Sequence, residues 1–413
     1  MKKTNTVRHR LNTAICITTG VLTLSTALAN GFRLPEYSAA GVATSNALVA
    51  DTSRSSAIAY NPAIMSLQTL AENKDVILSG SYINVQYETK VTTSTKTVQG
   101  TGEDAFDIPT GFIGTHLSDK LSIGLLFHSP FGLETQWPTT TFSPFLGITS
   151  LEPKLSRVKM YNANANLSYK IQDKTALSFG LNQYRLLDLQ FNSQATIIEG
   201  SATGYGWNIG FITDLSDELT LGLSYRSKVS ARATGTAAAV LPVQLDVTFP
   251  EMLTLGLNYS LSKNLKLELD IEHTGWHVFD NLNIVNSVSD AVVTNSTNNW
   301  KDTLTYRLSA QYKMNKHQFL FGYSLDETPQ DDAKFSARIP DADRQLFSIG
   351  YQYDFGQFQL ETGLMLVKFD SRTFNSNTTY VPAAGSESNG TTAYNGTYKA
   401  DATVLSIGIN TTF

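Results

Sequence analysis

Cysteine is nearly absent from this chain of 413 residues: the single one, Cys16, lies close to the N-terminus. Disulfide staples and thiol chemistry are therefore excluded for almost the whole length. Long apolar runs are missing too. Beyond residue 29 there is no stretch of about 18 uninterrupted apolar residues, so no transmembrane helix is expected there. Basic residues are outnumbered: 31 Lys and Arg stand against 36 Asp and Glu, a formal charge of −5. A nucleic-acid partner calls for a basic face, which this balance argues against. The histidines form no recognisable catalytic or metal motif. His273 and His277 in "HTGWH" have a four-residue spacing that brings ligands together on a helix, but in a strand pattern it only puts them on one face. No enzyme, cofactor or metal is expected.

The N-terminus sets the compartment. Lys2, Lys3, Arg8 and Arg10 precede the apolar segment Ala14 to Leu24, and Ala27-Leu28-Ala29 puts small residues before a cut at Asn30. This reads as a secretion signal, residues 1–29, removed on export. Ile15 before Cys16 is not a small residue, which argues against lipoprotein attachment. Removing four cations and no acids takes the charge from −5 to −9.

The remainder alternates with a period of two. In "NLKLELDIEH", Leu265, Leu267, Leu269 and Ile271 share one face of a strand, and Lys266, Glu268, Asp270 and Glu272 share the other. Fourteen such strands are expected, at 75–88, 106–117, 120–130, 154–170, 174–191, 203–213, 218–230, 244–260, 264–275, 302–313, 317–325, 344–354, 357–369 and 401–413. Short turns and long polar loops alternate between them. An up-and-down barrel in the outer membrane has short periplasmic turns and long outer loops. The C-terminal "VLSIGINTTF" ends on an aromatic residue, a feature read by barrel assembly machinery. The fold class expected is thus an all-β transmembrane barrel of antiparallel strands, residues 73–413. A closed barrel has no free edge to pair, so a monomer in outer-membrane lipid is expected.

Residues 30–72 do not alternate. Ala, Ser, Thr and Gly dominate them, and small side chains allow close backbone packing. Asn61 is suited to cap a helix that begins at Pro62. Two or three short helices are expected, either as a periplasmic tail or as a plug in the lumen, which a barrel of this size leaves open to fill.

The stretch "GFRLPEYSAAGVATSNALVADTSRSSAIAYNPAIM" resembles the opening of the long-chain fatty acid outer-membrane transporters, the FadL/TodX family. "SPFGLETQW", "FPEMLTLGLNYSLSKNLKLELDIEHTGW" and "IPDADRQLFSIGYQY" are similar to later family segments, in the same order. Arg54, Ser55 and Ser56 depart from the acidic and small residues usual there. The resemblance implies a fourteen-stranded barrel with an N-terminal hatch, residues 30–72, in the lumen. It implies passive uptake of a hydrophobic small molecule, long-chain fatty acids first and aromatic hydrocarbons or other lipophiles second. The solute would be caught among outer loops, pass to a pocket, and leave through a gap beside a kinked strand. Asn61, Pro62 and Ala63 would anchor the hatch, and Gly31 and Phe32 would reach the pocket.

Apolar residues in an expected outer loop, Trp137, Phe142, Phe145, Leu146 and Ile148, are candidate first contacts; the alternative is burial against neighbouring loops. A carboxylate needs a cation. Val158 and Met160 are expected to face lipid, which would turn Arg157 and Lys159 inward. Arg307 and Arg344 are further candidates, with lumen carboxylates such as Glu268 and Asp270 as competing partners. The kink is sought at Gly124 or at Pro130 to Gly132. A general porin is the main rival, and the small-residue segment argues against it.

Overall fold

A computed structural model describes residues 30–68, 76–101, 106–142, 152–194, 197–381 and 387–413. The expected leader and the last few residues of the expected plug, 69–72, lie outside them. The alternation is realised with its usual sense reversed. Glu268, Asp270 and Glu272 are buried, whereas Leu269 and Ile271 are exposed. Thr254 and Asn258 are likewise buried between exposed Leu253, Leu255 and Leu257. A wall with its polar side inward and its apolar side outward is built for lipid outside and a polar lumen inside. Among the described residues, no helix is long and apolar enough to cross a membrane.

The barrel has fourteen antiparallel strands. They are β1 (Val76–Thr92), β2 (Phe106–His116), β3 (Leu121–His128, then Gly132–Gln136), β4 (Pro153–Gln172) and β5 (Thr175–Ser193). Next come β6 (Ile198–Asp214), β7 (Leu219–Arg226, then Val229–Ala237), β8 (Leu241–Phe249, then Met252–Ser260) and β9 (Leu265–Thr274). The circuit ends with β10 (Thr303–Met314), β11 (His317–Asp326), β12 (Arg344–Asp354), β13 (Phe358–Phe369) and β14 (Gly396–Thr412). β14 pairs with β1 from Ile77↔Thr412 to Thr92↔Thr397, which closes the sheet. Every strand expected from sequence is present. Two expected outer loops, near 192–202 and 231–243, are instead mostly strand: β5–β6 and β7–β8 run on past them. The inward face turns apolar there, with Ile198, Ala233, Ala237, Leu241 and Val243 in one cluster, so the alternation that marks a lipid-facing strand fades.

β3 is interrupted at Ser129–Phe131, the second of the two sites sought. Its pairing with β2 stops at Gly111↔Phe127. β2 itself continues along β1 as far as Phe106. The wall therefore parts between β2 and β3 over the outer half of β2. Pro130 has no N–H to give a ladder, which favours a break there.

Residues 30–68 lie in the lumen. They form one short helix, α1 (Ala39–Ala43), and two 3₁₀ turns, Ser55–Ala59 and Pro62–Leu67. Ser38 caps α1, its Oγ accepting from Gly41 N at 3.1 Å. The wall holds this plug with side chains. Asp270 Oδ2 accepts from Leu48 N and Val49 N at 3.1 and 3.2 Å, and Glu268 Oε1 accepts from Ala50 N at 2.7 Å. On the other side of the lumen Ser168 Oγ donates to Ala63 O at 3.1 Å. Arg54, which sequence reasoning passed over as a departure, is a buried hub. It meets Asp51 at 2.7 Å, Gln311 at 2.6 Å, Gln352 at 3.1 Å and Glu361 at 3.4 Å.

Backbone approach is closest where the wall has glycine. A Cβ on Gly222 would stand 2.3 Å from Val49 O. Gly222→Leu is therefore expected to leave barrel assembly intact, as read by heat-modifiable migration on gels, and to unseat the plug. Planar-bilayer recordings would show an open conductance where the wild type stays closed. Wild-type conductance in the variant would refute this seating.

Candidate functional site

Above the plug lies a cavity of about 510 Å³. Its floor is the start of the plug. Phe32 stands within 4.8 to 6.3 Å, centroid to centroid, of Trp276, Phe279, Trp300, Phe131 and Phe249. Gly31 makes this possible: its φ is +57°, and a Cβ there would meet Trp300 at 2.8 Å and Trp276 at 2.9 Å. Asn30 is tied in by Trp276 Nε1, which donates to its Oδ1 at 2.8 Å.

The cavity extends to the parting in the wall. Leu34 N donates to Pro130 O at 2.9 Å and Gly132 N donates to Phe32 O at 3.0 Å, so the plug supplies the interrupted strand with backbone partners. Met160, Leu346, Val367 and Val404 line the inner part, and Asp107, Tyr161 and Leu187 line the outer part. Leu187 and Asp107 are exposed on the outer surface, and Tyr161 stacks there on exposed Phe127 at 5.1 Å. One space thus touches both the lumen and the membrane-facing side. Its lining is mainly apolar with a few charged groups, a composition suited to a hydrophobic or amphipathic solute.

The residues expected from sequence are distributed unevenly around this space. Gly31 and Phe32 line it. Asn61 lies lower, where its Nδ2 donates to Val49 O and to Phe211 O of β6, both at 3.0 Å. Its Oδ1 accepts from Ala63 N at 3.2 Å, with Pro62 opening the turn. Trp137 and Phe142 do not line the cavity. They are buried in an outer cluster with Tyr394, Tyr398 and Phe335, and Trp137 Nε1 donates to Ala337 O at 2.8 Å. Phe145, Leu146 and Ile148 lie outside the described residues.

The cations need one correction. Val158 and Met160 face the interior cluster, not lipid. Val158 and Met160 continue the inward row of Asn162 and Asn164, so strict alternation along β4 puts Arg157 and Lys159 on the opposite face; the bulge beside them adds Leu187 in β5 and leaves that parity unchanged. Arg157 is held there by Glu134 at 2.7 Å and Asp188 at 3.4 Å. Both Arg157 and Lys159 line the cavity, on the side of the wall break. Arg307 does not line it; it is buried against Glu272 at 3.2 Å. Glu268 and Asp270, expected as partners for cations, hold the plug backbone instead. Arg344 does line the cavity, with Nε donating to Asp326 at 3.2 Å and its guanidinium 5.6 Å from the Phe369 ring. Arg33 lines it too and was not singled out from sequence. His273 and His277 converge on Asp302, at 3.6 and 2.7 Å, away from this space. Among the described residues no cluster of His, Cys, Asp or Glu is arranged to hold a metal.

Asp341 ties the plug to the outer loop that joins β11 to β12. Its Oδ2 accepts from Gly31 N at 3.2 Å and Thr328 Oγ1 at 2.7 Å. Burial pushes its pKa up to about 6 against the pull of Arg344 and these hydrogen bonds. A raised carboxyl stabilises the fold in its protonated form. That contribution is full below the ordinary value of 3.8 and is lost as pH rises through about 6. Asp341→Asn is expected to remove this part of the pH dependence. Unfolding midpoints in detergent would fall less between pH 5 and 7 for the variant than for wild type, and equal slopes would refute the assignment.

A family model described as outer membrane protein transport protein (OMPP1/FadL/TodX) matches residues 20–413. Outer membrane protein P1 of Haemophilus influenzae is 25% identical over 405 residues, covering 84% of this chain and 87% of that protein. The long-chain fatty acid transport protein of Salmonella typhi is 20% identical, with 79% and 84% covered. Among solved structures, a FadL homologue from Pseudomonas aeruginosa superposes with a TM-score of 0.77, covering 92% of this chain and 99% of that one at 16% identity.

Proposed function

This chain belongs to the OMPP1/FadL/TodX family of outer-membrane transport channels for hydrophobic compounds, and from that premise we propose that its solute is a long-chain fatty acid that leaves sideways through the wall. The family is one of channels rather than enzymes, and its place is the outer membrane. The observation that carries the lateral route is the single cavity lined by Phe32 and Leu346 at one end and by Asp107, Tyr161 and Leu187 at the other. Straight passage to the periplasm would have to displace the plug from its many wall contacts. Sideways passage needs only the space already present at the break in β3.

The fatty acid reading rests on Arg344. A carboxylate among apolar walls needs a charge-assisted partner, and Arg offers a forked one. Arg344 spends its Nε on Asp326 and lies beside Leu346, Val367 and Phe369, which would take the acyl chain. The Salmonella relative, a long-chain fatty acid transport protein, points to the same solute class. Asn61 fastens the plug to β6, and loosening it would alter gating.

The test is uptake of labelled oleate by Gram-negative cells that lack their own fatty acid transporter. Wild type is expected to exceed an empty vector clearly. Arg344→Met is expected to raise the half-saturating oleate concentration about tenfold or more, since hydrogen bonds to charged groups contribute about 1.5–3 kcal/mol. Its uptake of toluene, which has no carboxylate, should stay unchanged. Asn61→Ala should weaken oleate uptake through the plug. Vector-level oleate uptake with the barrel in the outer membrane would overturn the fatty acid reading and make aromatic hydrocarbons the next class to try.

A further inference from the structure

Below the solute cavity, between plug and wall, is a second and much smaller space of about 20 Å³. It has room for one water-sized occupant. Three guanidiniums line it, those of Arg33, Arg226 and Arg307, together with Tyr37, Ser224 and a single carboxylate, Glu272. All three arginines are buried.

The hydrogen bonds leave this space short of acceptors and of negative charge. Glu272 is fully engaged: it accepts from Arg33 Nη2 at 2.7 Å, from Arg307 Nη1 and Nη2 at 3.3 and 3.2 Å, and from Thr254 Oγ1 at 3.0 Å. Among the described residues Arg226 has only neutral partners, Ala59 O at 3.0 Å, Asn182 Oδ1 at 3.4 Å, the Tyr184 side chain and the face of Tyr37 at 5.6 Å. Glu36, the next acid along the plug, does not line the space and accepts from Asn46 Nδ2 at 3.1 Å. Two donors on lining residues, Arg33 Nη1 and Tyr37 Oη, are buried with no partner among the described residues. An uncompensated buried cation and unpaired buried donors are each costly.

We propose that this space is a binding site for a small monovalent anion of halide size. Such an ion accepts from Arg33 Nη1 and Tyr37 Oη together and supplies the charge that Arg226 lacks. Water would accept hydrogen bonds but leave that charge uncompensated. Arg33 and Tyr37 belong to the plug, Arg226 and Ser224 to β7, and Arg307 to β10. The ion therefore fastens plug to wall across the lumen, whatever solute passes above.

The test uses the full-length protein crystallised with sodium bromide and measured at the bromine absorption edge. An anomalous peak bounded by Arg33, Tyr37 and Arg226 is expected. Density unchanged between bromide and bromide-free crystals, or bromide peaks only elsewhere, would overturn the proposal. A solution measurement stands beside it. Thermal unfolding in detergent should come about 1–3 °C higher in sodium bromide than in sodium gluconate at equal ionic strength. Tyr37→Phe keeps the ring under Arg226 and removes the hydroxyl, so it should shrink this difference. Equal midpoints for wild type in the two salts would again refute the site.

Discussion

Two carboxylates on one strand hold this molecule together in the sense that matters for transport. Glu268 and Asp270 of β9 point into the lumen and accept the backbone N–H groups of Leu48, Val49 and Ala50 in succession. A buried N–H without a partner is costly, and a plug folded into a few short turns leaves many of them exposed to the wall. The wall answers with acids, serines and amides at inward positions. This explains why β9 carries acids at the inward positions Glu268, Asp270 and Glu272, and why the plug is written in alanine, serine and glycine. Only small side chains let its backbone come within reach of wall side chains such as Ser81, Ser309 and Ser406.

That fastening has a geometric consequence. With the lumen filled, the proposed way out is where the wall itself is incomplete. The break in β3 would leave backbone groups unpaired, but Phe32 and Leu34 of the plug bond to Gly132 and Pro130. The same few residues thus line the solute cavity and stabilise the break beside it. Plug and gap are parts of one device: displacing the first turn of the plug changes the shape of the pocket and the support of the interrupted strand together. Asp341 and the aromatic ring of contacts around Phe32 keep that turn in place from the outer side.

What could be read from the sequence follows from which forces leave a periodic trace. The Leu-Lys-Leu-Glu alternation of β9 is legible because lipid and lumen demand opposite chemistries at every second residue. Asn61-Pro62 is legible because a cap and a proline are local. The faces of Arg157 and Lys159 are misread from sequence because the inward row of β4, polar at Asn162, Asn164 and Asn166, turns apolar at Val158 and Met160 beside the cavity, so an apolar residue no longer marks the lipid side. The outer ends of β5 to β8 read as loops because their inward face turns apolar and the alternation is lost. Trp137 and Phe142 looked like a capture surface because nothing local reports Tyr394 and Tyr398, more than two hundred residues away in sequence. Arg54 was missed for the same reason. Its partners Gln311, Gln352 and Glu361 come from three separate strands, and only the closed barrel brings them to one point.

Arg54 also bears on how rigid the plug is. Replacing buried ion pairs by apolar residues is often neutral for stability, whereas removing one partner is costly. A lumen held by such groups is therefore specific in its arrangement more than it is strongly bonded. The solute supplies the remaining asymmetry. Each methylene moved from water to an apolar environment is favoured by about 0.8 kcal/mol. On the proposed lateral route, a hydrophobic molecule that has entered the cavity would gain nothing by continuing through a lumen of amides and carboxylates, and would keep its gain by sliding past Tyr161 and Leu187 into lipid. On that route the step would need no energy input. That proposal asks only that the wall be open where the solute already prefers to go, with the polar plug, a poor solvent for it, directing it there.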